Sequence, residues 1–113
     1  GHQVGDEVLE KLAHFIKSNI RRIDFAGRWG GEEFLIICPN TVLKNATLFA
    51  EKLRTGLTHL NISTGSVITA SFAVGEICEG ECTNALIKRI DDALYQAKET
   101  GRNKLITSVS PAE

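Results

Sequence analysis

The chain has 113 residues, of which 42% are hydrophobic and 24% charged, and its formal net charge is −1. These values are typical of one globular domain with a single core, and the nearly balanced charge gives no support for binding to duplex DNA or to an acidic membrane surface. No apolar stretch approaches the roughly 20 residues of a membrane span, and the N-terminus has no signal-peptide pattern. The three cysteines have no regular spacing, which predicts reduced thiols in a cytoplasmic protein rather than a disulfide framework or a zinc site.

Apolar residues at helical spacing predict three helices, over residues 5–20, 42–57 and 85–100. Apolar runs and one alternating segment predict four strands, over residues 23–28, 33–38, 67–76 and 104–108. Thr41 and Asn84 are the expected N-caps of the second and third helices, and Gly101 is the expected C′ residue of the third. Helices and strands in this order predict an α/β or α+β layered domain.

The segment from Arg28 to Glu33 lies between the first two strands and is predicted to form a hairpin turn. Gly30 and Gly31 suit a turn that needs positive φ or the close approach of a ligand. Glu32 and Glu33 offer paired carboxylates, which suit a hard divalent cation. The pattern also has plainer explanations, because hairpin geometry accounts for the glycines and adjacent acids at a turn often only face solvent.

Three other segments accompany this turn. They are residues 1–6 (GHQVGD), residues 21–24 (RRID) and residues 92–103 (DALYQAKETGRN). Together with residues 30–34 (GGEEF), they resemble in order and spacing the motifs of GGDEF domains, the diguanylate cyclase family, and the resemblance covers essentially the whole chain. It implies an α/β fold of the α+β sandwich-like, nucleotidyl-cyclase-like type, in which helices flank a central and mostly antiparallel sheet.

The resemblance implies condensation of two GTP molecules into cyclic di-GMP with release of pyrophosphate, and a requirement for Mg²⁺ or Mn²⁺. Glu32 then corresponds to a metal ligand, and Glu33 to the catalytic proton acceptor at the attacking 3′-hydroxyl and to a second metal ligand. The other matched positions correspond to substrate contacts: Gly30 and Gly31 beside the phosphates, Lys98 and Arg102 on the terminal phosphates, Asp6 on guanine, and His2 on the substrate side.

Several of these residues have simpler explanations. Lys98 and Arg102 are four residues apart at the end of a predicted helix, so they are expected to project from one face, where positive charge also suits the helix dipole. Asp6 near a helix start suits the dipole as well. A carboxylate can nevertheless accept from both N–H donors on the Watson–Crick edge of guanine, which adenine cannot satisfy.

Arg21 and Asp24 correspond to the inhibitory product site of the family, an RxxD motif placed five residues before the first signature glycine. A guanidinium can bind phosphate or a guanine edge through paired hydrogen bonds, and Asp24 can accept from guanine. Lys52 stands where relatives with this regulation often carry a second arginine, so inhibition is expected to be weaker. A surface ion pair between Arg21 and Asp24 is the plainer alternative.

The resemblance also implies an absence. Family domains begin with a strand whose final aspartate binds metal and a helix whose asparagine reads guanine, and this chain begins after both. We therefore expect residues 1–108 to be a partial GGDEF domain with little or no cyclase activity by itself, and residues 109–113 to be a loose tail. Ala73 also stands at a position where the family usually has glycine, which predicts modest crowding.

Catalysis of this kind implies a homodimer, because each domain contributes one GTP, and the family usually carries an attached sensory domain. Two alternatives stay open. A catalytically silent GGDEF receptor would bind cyclic di-GMP or GTP for signalling, although the intact Glu32 and Glu33 argue against it. A Mg²⁺-dependent nucleotidyl transferase or nuclease of another family is disfavoured by the basic pair and by Asp6.

Overall fold

The structure is a computed structural model that describes the backbone of residues 2–109 and the side chains of residues 5–109. Within these residues the elements are α1 (His2–Asn19), β1 (Phe25–Gly30), β2 (Glu33–Ile37), α2 (Leu43–Leu57), β3 (Phe72–Gly75), α3 (Thr83–Glu99) and β4 (Leu105–Ser108). The predicted order of helices and strands is confirmed. Residues 110–113 of the predicted tail lie outside the described residues.

The third strand is shorter than the sequence pattern predicts. Alternation extends over residues 67–76, but the strand itself covers only Phe72–Gly75. Its parallel partner β4 offers four residues, which pair one to one from Phe72 with Leu105 to Gly75 with Ser108. The available partner, and not the side-chain pattern, therefore sets the length of the strand.

The predicted N-cap Asn84 is wrong, whereas Thr41 as the N-cap of α2 stays a prediction. The N-cap of α3 is Cys82, which has extended backbone angles and makes no side-chain capping bond. At the start of α2, the carboxylate of Glu76 accepts a hydrogen bond of 2.8 Å from the backbone N–H of Leu43. A residue distant in sequence thus satisfies one of the backbone donors at the start of this helix.

The chain forms two compact units, of which the first comprises residues 2–40 and Thr55–Ile68. In this unit β1 and β2 form an antiparallel hairpin with a bulge at Trp29, where the register shifts between Arg28 and Gly30. α1 contacts β1. The buried apolar residues of this unit are Ile16, Leu57, Ile62 and Ile68.

The second unit comprises Thr41–Arg54 and residues 69–109. α3 packs against the parallel pair of β3 and β4. The buried apolar residues of this unit are Ala50, Leu53, Ala93 and Ala97. Two small residues spaced four apart on α3, Ala93 and Ala97, give the helix a face that can approach its neighbours closely.

Helices combined with small sheets confirm the α/β class. The expected single, mostly antiparallel sheet is not what the described residues form, because β1 pairs only with β2 and β3 only with β4, the latter in parallel. Among the described helices, none combines the length and apolar character that crossing a bilayer requires.

Candidate functional site

The hairpin turn of the first unit carries the first group of predicted site residues. β1 and β2 pair down to Gly30 and Glu33, and the turn consists of Gly31 and Glu32. Gly31 has a φ of +52°, and no atom lies within 4 Å of the place where its Cβ would stand. Backbone conformation, and not crowding, therefore favours glycine here. Arg28 donates from its guanidinium to the carbonyl of Gly31 and so braces the turn.

Two carboxylates follow at this turn. Glu32 is exposed, and Glu33, the first residue of β2, is half-buried. Carboxylate oxygens suit Mg²⁺, which proteins commonly hold through one or two carboxylates together with substrate phosphates and water. In the part of the chain that the structure describes, no three His, Cys, Asp or Glu side chains are grouped so as to hold a metal.

The beginning of α1 carries the predicted guanine contact. Asp6 is exposed, whereas the side chain of His2 lies outside the described residues. The neighbouring Glu7 accepts hydrogen bonds from the backbone N–H of Ser63 at 3.0 Å and from its hydroxyl at 2.7 Å. These bonds lower the pKa of the Glu7 carboxyl. Glu7 thus ties this end of α1 to the loop at Ser63 while Asp6 stays open to solvent.

Arg21 and Asp24, the predicted inhibitory pair, are joined directly. The Asp24 side chain is 3% exposed and that of Arg21 53%. The carboxylate of Asp24 accepts from the backbone N–H of Arg21 at 2.8 Å, from Nε at 3.2 Å and from Nη2 at 2.9 Å. The side-chain hydrogen bond from Arg21 holds the pKa of Asp24 below its usual range. Asp24 therefore orients Arg21, whose guanidinium reaches the surface.

The end of α3 carries the predicted phosphate contacts of the second unit. Lys98 and Arg102 do not share a helical face as predicted, because α3 ends at Glu99 and Arg102 lies beyond it. Gly101 has a φ of +124°, and the backbone N–H of Arg102 donates to the carbonyl of Ala97 at 3.0 Å. This is a Schellman-type end and confirms Gly101 as the C′ residue. Arg102 is exposed and Lys98 half-buried.

Comparison with known proteins decides the family. The family model "Diguanylate cyclase, GGDEF domain" matches residues 1–104. The chain belongs to the GGDEF family. Diguanylate cyclase DgcM of Escherichia coli (strain K12) is 42% identical over 108 residues, covering 96% of this chain and 26% of DgcM. Response regulator PleD of Caulobacter vibrioides (strain NA1000 / CB15N) is 41% identical over 115 residues, covering 94% of this chain and 25% of PleD. The chain thus spans about a quarter of the length of these relatives.

Solved GGDEF structures share the fold. The GGDEF domain of DgcB from Caulobacter crescentus, in complex with c-di-GMP, has a TM-score of 0.84 and 31% identity, over 96% of this chain and 67% of that chain. The active GGEEF domain of a diguanylate cyclase from Vibrio cholerae has a TM-score of 0.84 and 35% identity, over 96% and 70%. Diguanylate cyclase SiaD from Pseudomonas aeruginosa, in complex with its activator SiaC, has a TM-score of 0.82 and 35% identity, over 95% and 42%. The predicted family and fold class are confirmed, while the roles of individual residues stay predictions.

The second unit of this GGDEF domain also contains an arginine network that the sequence reasoning missed. Arg89 on α3 donates to Glu81 from Nε at 2.7 Å and from Nη2 at 2.8 Å, and its Nη1 donates to the carbonyl of Ser108 at 2.9 Å. The side chains of Arg89 and Glu81 are only 10% and 11% exposed. The hydrogen bonds from Arg89 lower the pKa of Glu81 to about 2. Eight residues and a helix start separate the two, so no sequence spacing indicates their contact.

Lys52, the third predicted member of the inhibitory site, is exposed on α2 within the second unit. Arg21 and Asp24 belong to the first unit. The role of Lys52 therefore stays a prediction.

Proposed function

We propose that this GGDEF domain takes part in the synthesis of cyclic di-GMP from two molecules of GTP. The observation that carries the proposal is the exposed hairpin turn, where Gly31 in the left-handed region precedes Glu32 and Glu33 in a chain that matches the diguanylate cyclase family model. Relatives named diguanylate cyclase, and the c-di-GMP complex of the DgcB domain, support the same product.

In the proposed reaction, the 3′-hydroxyl of each GTP attacks the α-phosphate of the other. Each attack forms a phosphate ester bond and breaks the bond between the α- and β-phosphates, releasing pyrophosphate and the hydroxyl proton. Two GTP thus give one cyclic di-GMP and two pyrophosphates. Because two nucleotides must meet face to face, we propose a homodimer in which each domain brings one GTP.

Glu33 is the proposed acceptor of the hydroxyl proton. It begins β2 and pairs with Gly30, so the sheet fixes its backbone while its side chain is half-buried. A fixed position within reach of the proton is the first requirement of a general base. Glu32, exposed in the turn, would hold Mg²⁺ or Mn²⁺ together with Glu33. When bound, such an ion neutralises phosphate charge and favours ionisation of the hydroxyl.

The remaining residues would bind and orient the nucleotide. Lys98 and Arg102 would contact the terminal phosphates, where Arg102 can offer paired donors and Lys98 a point charge. Asp6, exposed near the start of α1, would accept from the two donors of the guanine edge. His2 would lie on the substrate side, and Gly30 and Gly31 would let phosphates approach the backbone.

The test is incubation with GTP and Mg²⁺, followed by chromatography for cyclic di-GMP. It should be run on the 113-residue chain and on any longer natural polypeptide that carries it, because we propose that the chain alone has little activity. Glu33→Gln should lower kcat by at least about 100-fold, the usual contribution of a general base. Glu10→Gln on the exposed side of α1 is the matched control and should leave kcat unchanged. No product from the polypeptide in its dimeric form would refute the cyclase proposal.

A second candidate function is a receptor for cyclic di-GMP that does not turn over GTP. The outward guanidinium of Arg21 favours it, because this site needs neither Glu32 nor Glu33. We propose that Arg21 contacts the product and that Asp24 holds Arg21, with Lys52 as a weaker third member. Calorimetry with cyclic di-GMP separates the candidates, since a receptor binds the product without turnover and a regulated cyclase shows both.

We place the domain in the cytoplasm, with GTP as its substrate, no nucleic-acid partner, and an attached sensory domain in the natural protein. The SiaD structure with its activator SiaC shows that one relative of this domain has a protein activator. Fractionation of cells that express the natural protein, followed by immunoblotting, checks the location.

A further inference from the structure

Three consecutive residues after α3 adopt the left-handed backbone conformation. Gly101, Arg102 and Asn103 have φ angles of +124°, +60° and +45°. Glycine takes such angles freely, and asparagine tolerates them better than most residues, but an arginine there is strained. Strain of this kind persists only where surrounding contacts fix the backbone.

Arg54 of α2 supplies such contacts within the second unit. Its Nη1 donates to the side-chain Oδ1 of Asn103 at 3.0 Å and to the carbonyl of Asn103 at 3.3 Å. The same guanidinium is held from its other side by Glu51, to which Nε donates at 2.9 Å and Nη2 also donates. The Arg54 side chain is 21% exposed and that of Glu51 45% exposed, so Arg54 is partly shielded from solvent while it bonds to Asn103 at the surface.

The segment is thus anchored on both sides of Arg102. On one side, the backbone N–H of Arg102 donates to the carbonyl of Ala97 in the last turn of α3. On the other side, Arg54 donates two hydrogen bonds to Asn103, the next residue along the chain. Between these anchors the side chain of Arg102 itself is exposed. These anchors fix the backbone from which the exposed Arg102 side chain extends before a ligand arrives.

We propose that Arg54 is a positioning residue, which holds Asn103 and thereby fixes the strained backbone from which Arg102 reaches the terminal phosphates of GTP. This inference rests on the proposed function, because it takes the phosphate contact of Arg102 from there. Glu51 orients Arg54, and Asn103 tolerates the left-handed conformation while offering two acceptors. Arg54 touches no substrate in this arrangement and acts through Arg102.

The first test does not depend on catalysis. Amide hydrogen exchange of Arg102 should become about tenfold faster in Arg54→Ala, since losing one anchor frees the segment to open locally. Arg54→Lys, which can reach one acceptor but not fork, should fall between wild type and Arg54→Ala. Lys44→Ala, an exposed substitution on the same helix, is the matched control and should exchange like wild type. Unchanged exchange in Arg54→Ala would overturn the inference.

The second test asks whether Arg54 acts through Arg102. In the catalytically competent polypeptide, Arg54→Ala should raise the KM for GTP about tenfold, which corresponds to about 1.4 kcal/mol, with a smaller change in kcat. In an Arg102→Ala background the same substitution should change KM no further, because the group it positions is gone. Equal effects in both backgrounds would show a merely structural role and overturn the inference.

Outcomes of the two proposals are separable. If wild type neither binds nor converts GTP, the proposed function fails, and the exchange measurement still decides whether Arg54 fixes the segment. If wild type is active and Arg102→Ala raises KM while Arg54→Ala does not, only the positioning role fails. Should Arg54→Ala fail to fold by thermal melting, Asn103→Ala removes one acceptor of the same contact and carries both tests, with the same expected and refuting results.

Discussion

Arg21 with Asp24 in the first unit and Arg89 with Glu81 in the second unit use similar hydrogen bonds but differ in their exposure to solvent. In the first unit Asp24 is 3% exposed, but its partner Arg21 is 53% exposed. In the second unit both members are nearly buried, since the side chain of Arg89 is 10% exposed and that of Glu81 is 11% exposed. Each arginine uses two of its side-chain nitrogens on the carboxylate. The two pairs therefore have the same hydrogen-bonding chemistry and differ in how much of each pair is exposed to solvent.

We expect this difference in exposure to separate an arginine that is available to a ligand from one that stabilises the fold. The buried Asp24 holds the half-exposed Arg21, whose Nη2 also donates to the carbonyl of Pro39 at 3.1 Å, and this guanidinium is our proposed contact for a phosphate or a guanine edge. Arg89 is nearly buried and donates to Glu81, to the carbonyl of Ser108 and to the carbonyl of Glu76. We expect substitutions to affect stability in the second pair and binding in the first.

The largest expected effect is on folding, from Arg89→Met. It removes the Arg89 donors from two backbone carbonyls and from the nearly buried carboxylate of Glu81, which keeps the bond from the backbone N–H of Cys78, so Tm should fall by about 10 °C. Lys88→Met is the matched control, since the neighbouring Lys88–Asp92 pair is 78% and 70% exposed and should change Tm by less than about 2 °C. Similar Tm values for the two variants would contradict the structural role of Arg89.

The next effect is the dependence of stability on acid. The pKa of Glu81 is lowered from 4.5 to about 2 by its hydrogen bonds from Arg89, so the folded state holds the ionised form more strongly than the unfolded state. Its contribution to stability is fully present above about pH 4.5 and is lost as pH falls toward 2. Urea midpoints measured across this range should fall less steeply in Glu81→Gln than in Glu79→Gln, an exposed control in the same loop. Parallel curves would refute the linkage.

For Arg21→Ala we expect a smaller loss of Tm than for Arg89→Met, together with a loss of affinity for cyclic di-GMP. Removal of the half-exposed guanidinium lets water reach Asp24, so the loss in Tm should be no more than about half that of Arg89→Met. Affinity for cyclic di-GMP should fall at least about tenfold, as expected when a charged hydrogen-bonding partner is lost. Calorimetry and melting of Arg21→Ala beside Arg22→Ala, its exposed neighbour, check both parts. Wild-type affinity in Arg21→Ala would remove Arg21 from the product site.

The smallest effect is expected from Lys52→Arg. If Lys52 is the third member of the product site, a planar fork in place of a point charge should tighten cyclic di-GMP binding about threefold, with Tm unchanged. Lys44→Arg, on the same helix, should change neither quantity. A gain equal in both variants would mean that arginine on this helix strengthens binding regardless of its position, which would remove Lys52 from the product site.

Much of the fold followed from local patterns in the sequence. Periodicity placed each helix and the hairpin, because these elements depend on neighbouring residues and on turn chemistry at Gly31 and Gly101. The pairing of Arg21 with Asp24 was also predictable as the plainer alternative, because two residues three positions apart in one turn lie close together. Elements whose partners are distant in sequence were predicted poorly, as the shortened β3 shows.

By itself, the sequence determined the family, through four motifs whose spacing needs no coordinates, and it located the turn that bears Glu32 and Glu33. Tertiary structure alone decided three hydrogen bonds. Glu76 accepts from the backbone N–H of Leu43 at the start of α2, Arg89 donates to Glu81, and Arg54 donates to Asn103 beside Arg102. The physical reason is how far apart the interacting residues lie along the sequence. A turn or helix end is specified by residues a few positions apart, whereas a hydrogen bond between residues distant in sequence depends on which segments the fold brings within about 3 Å.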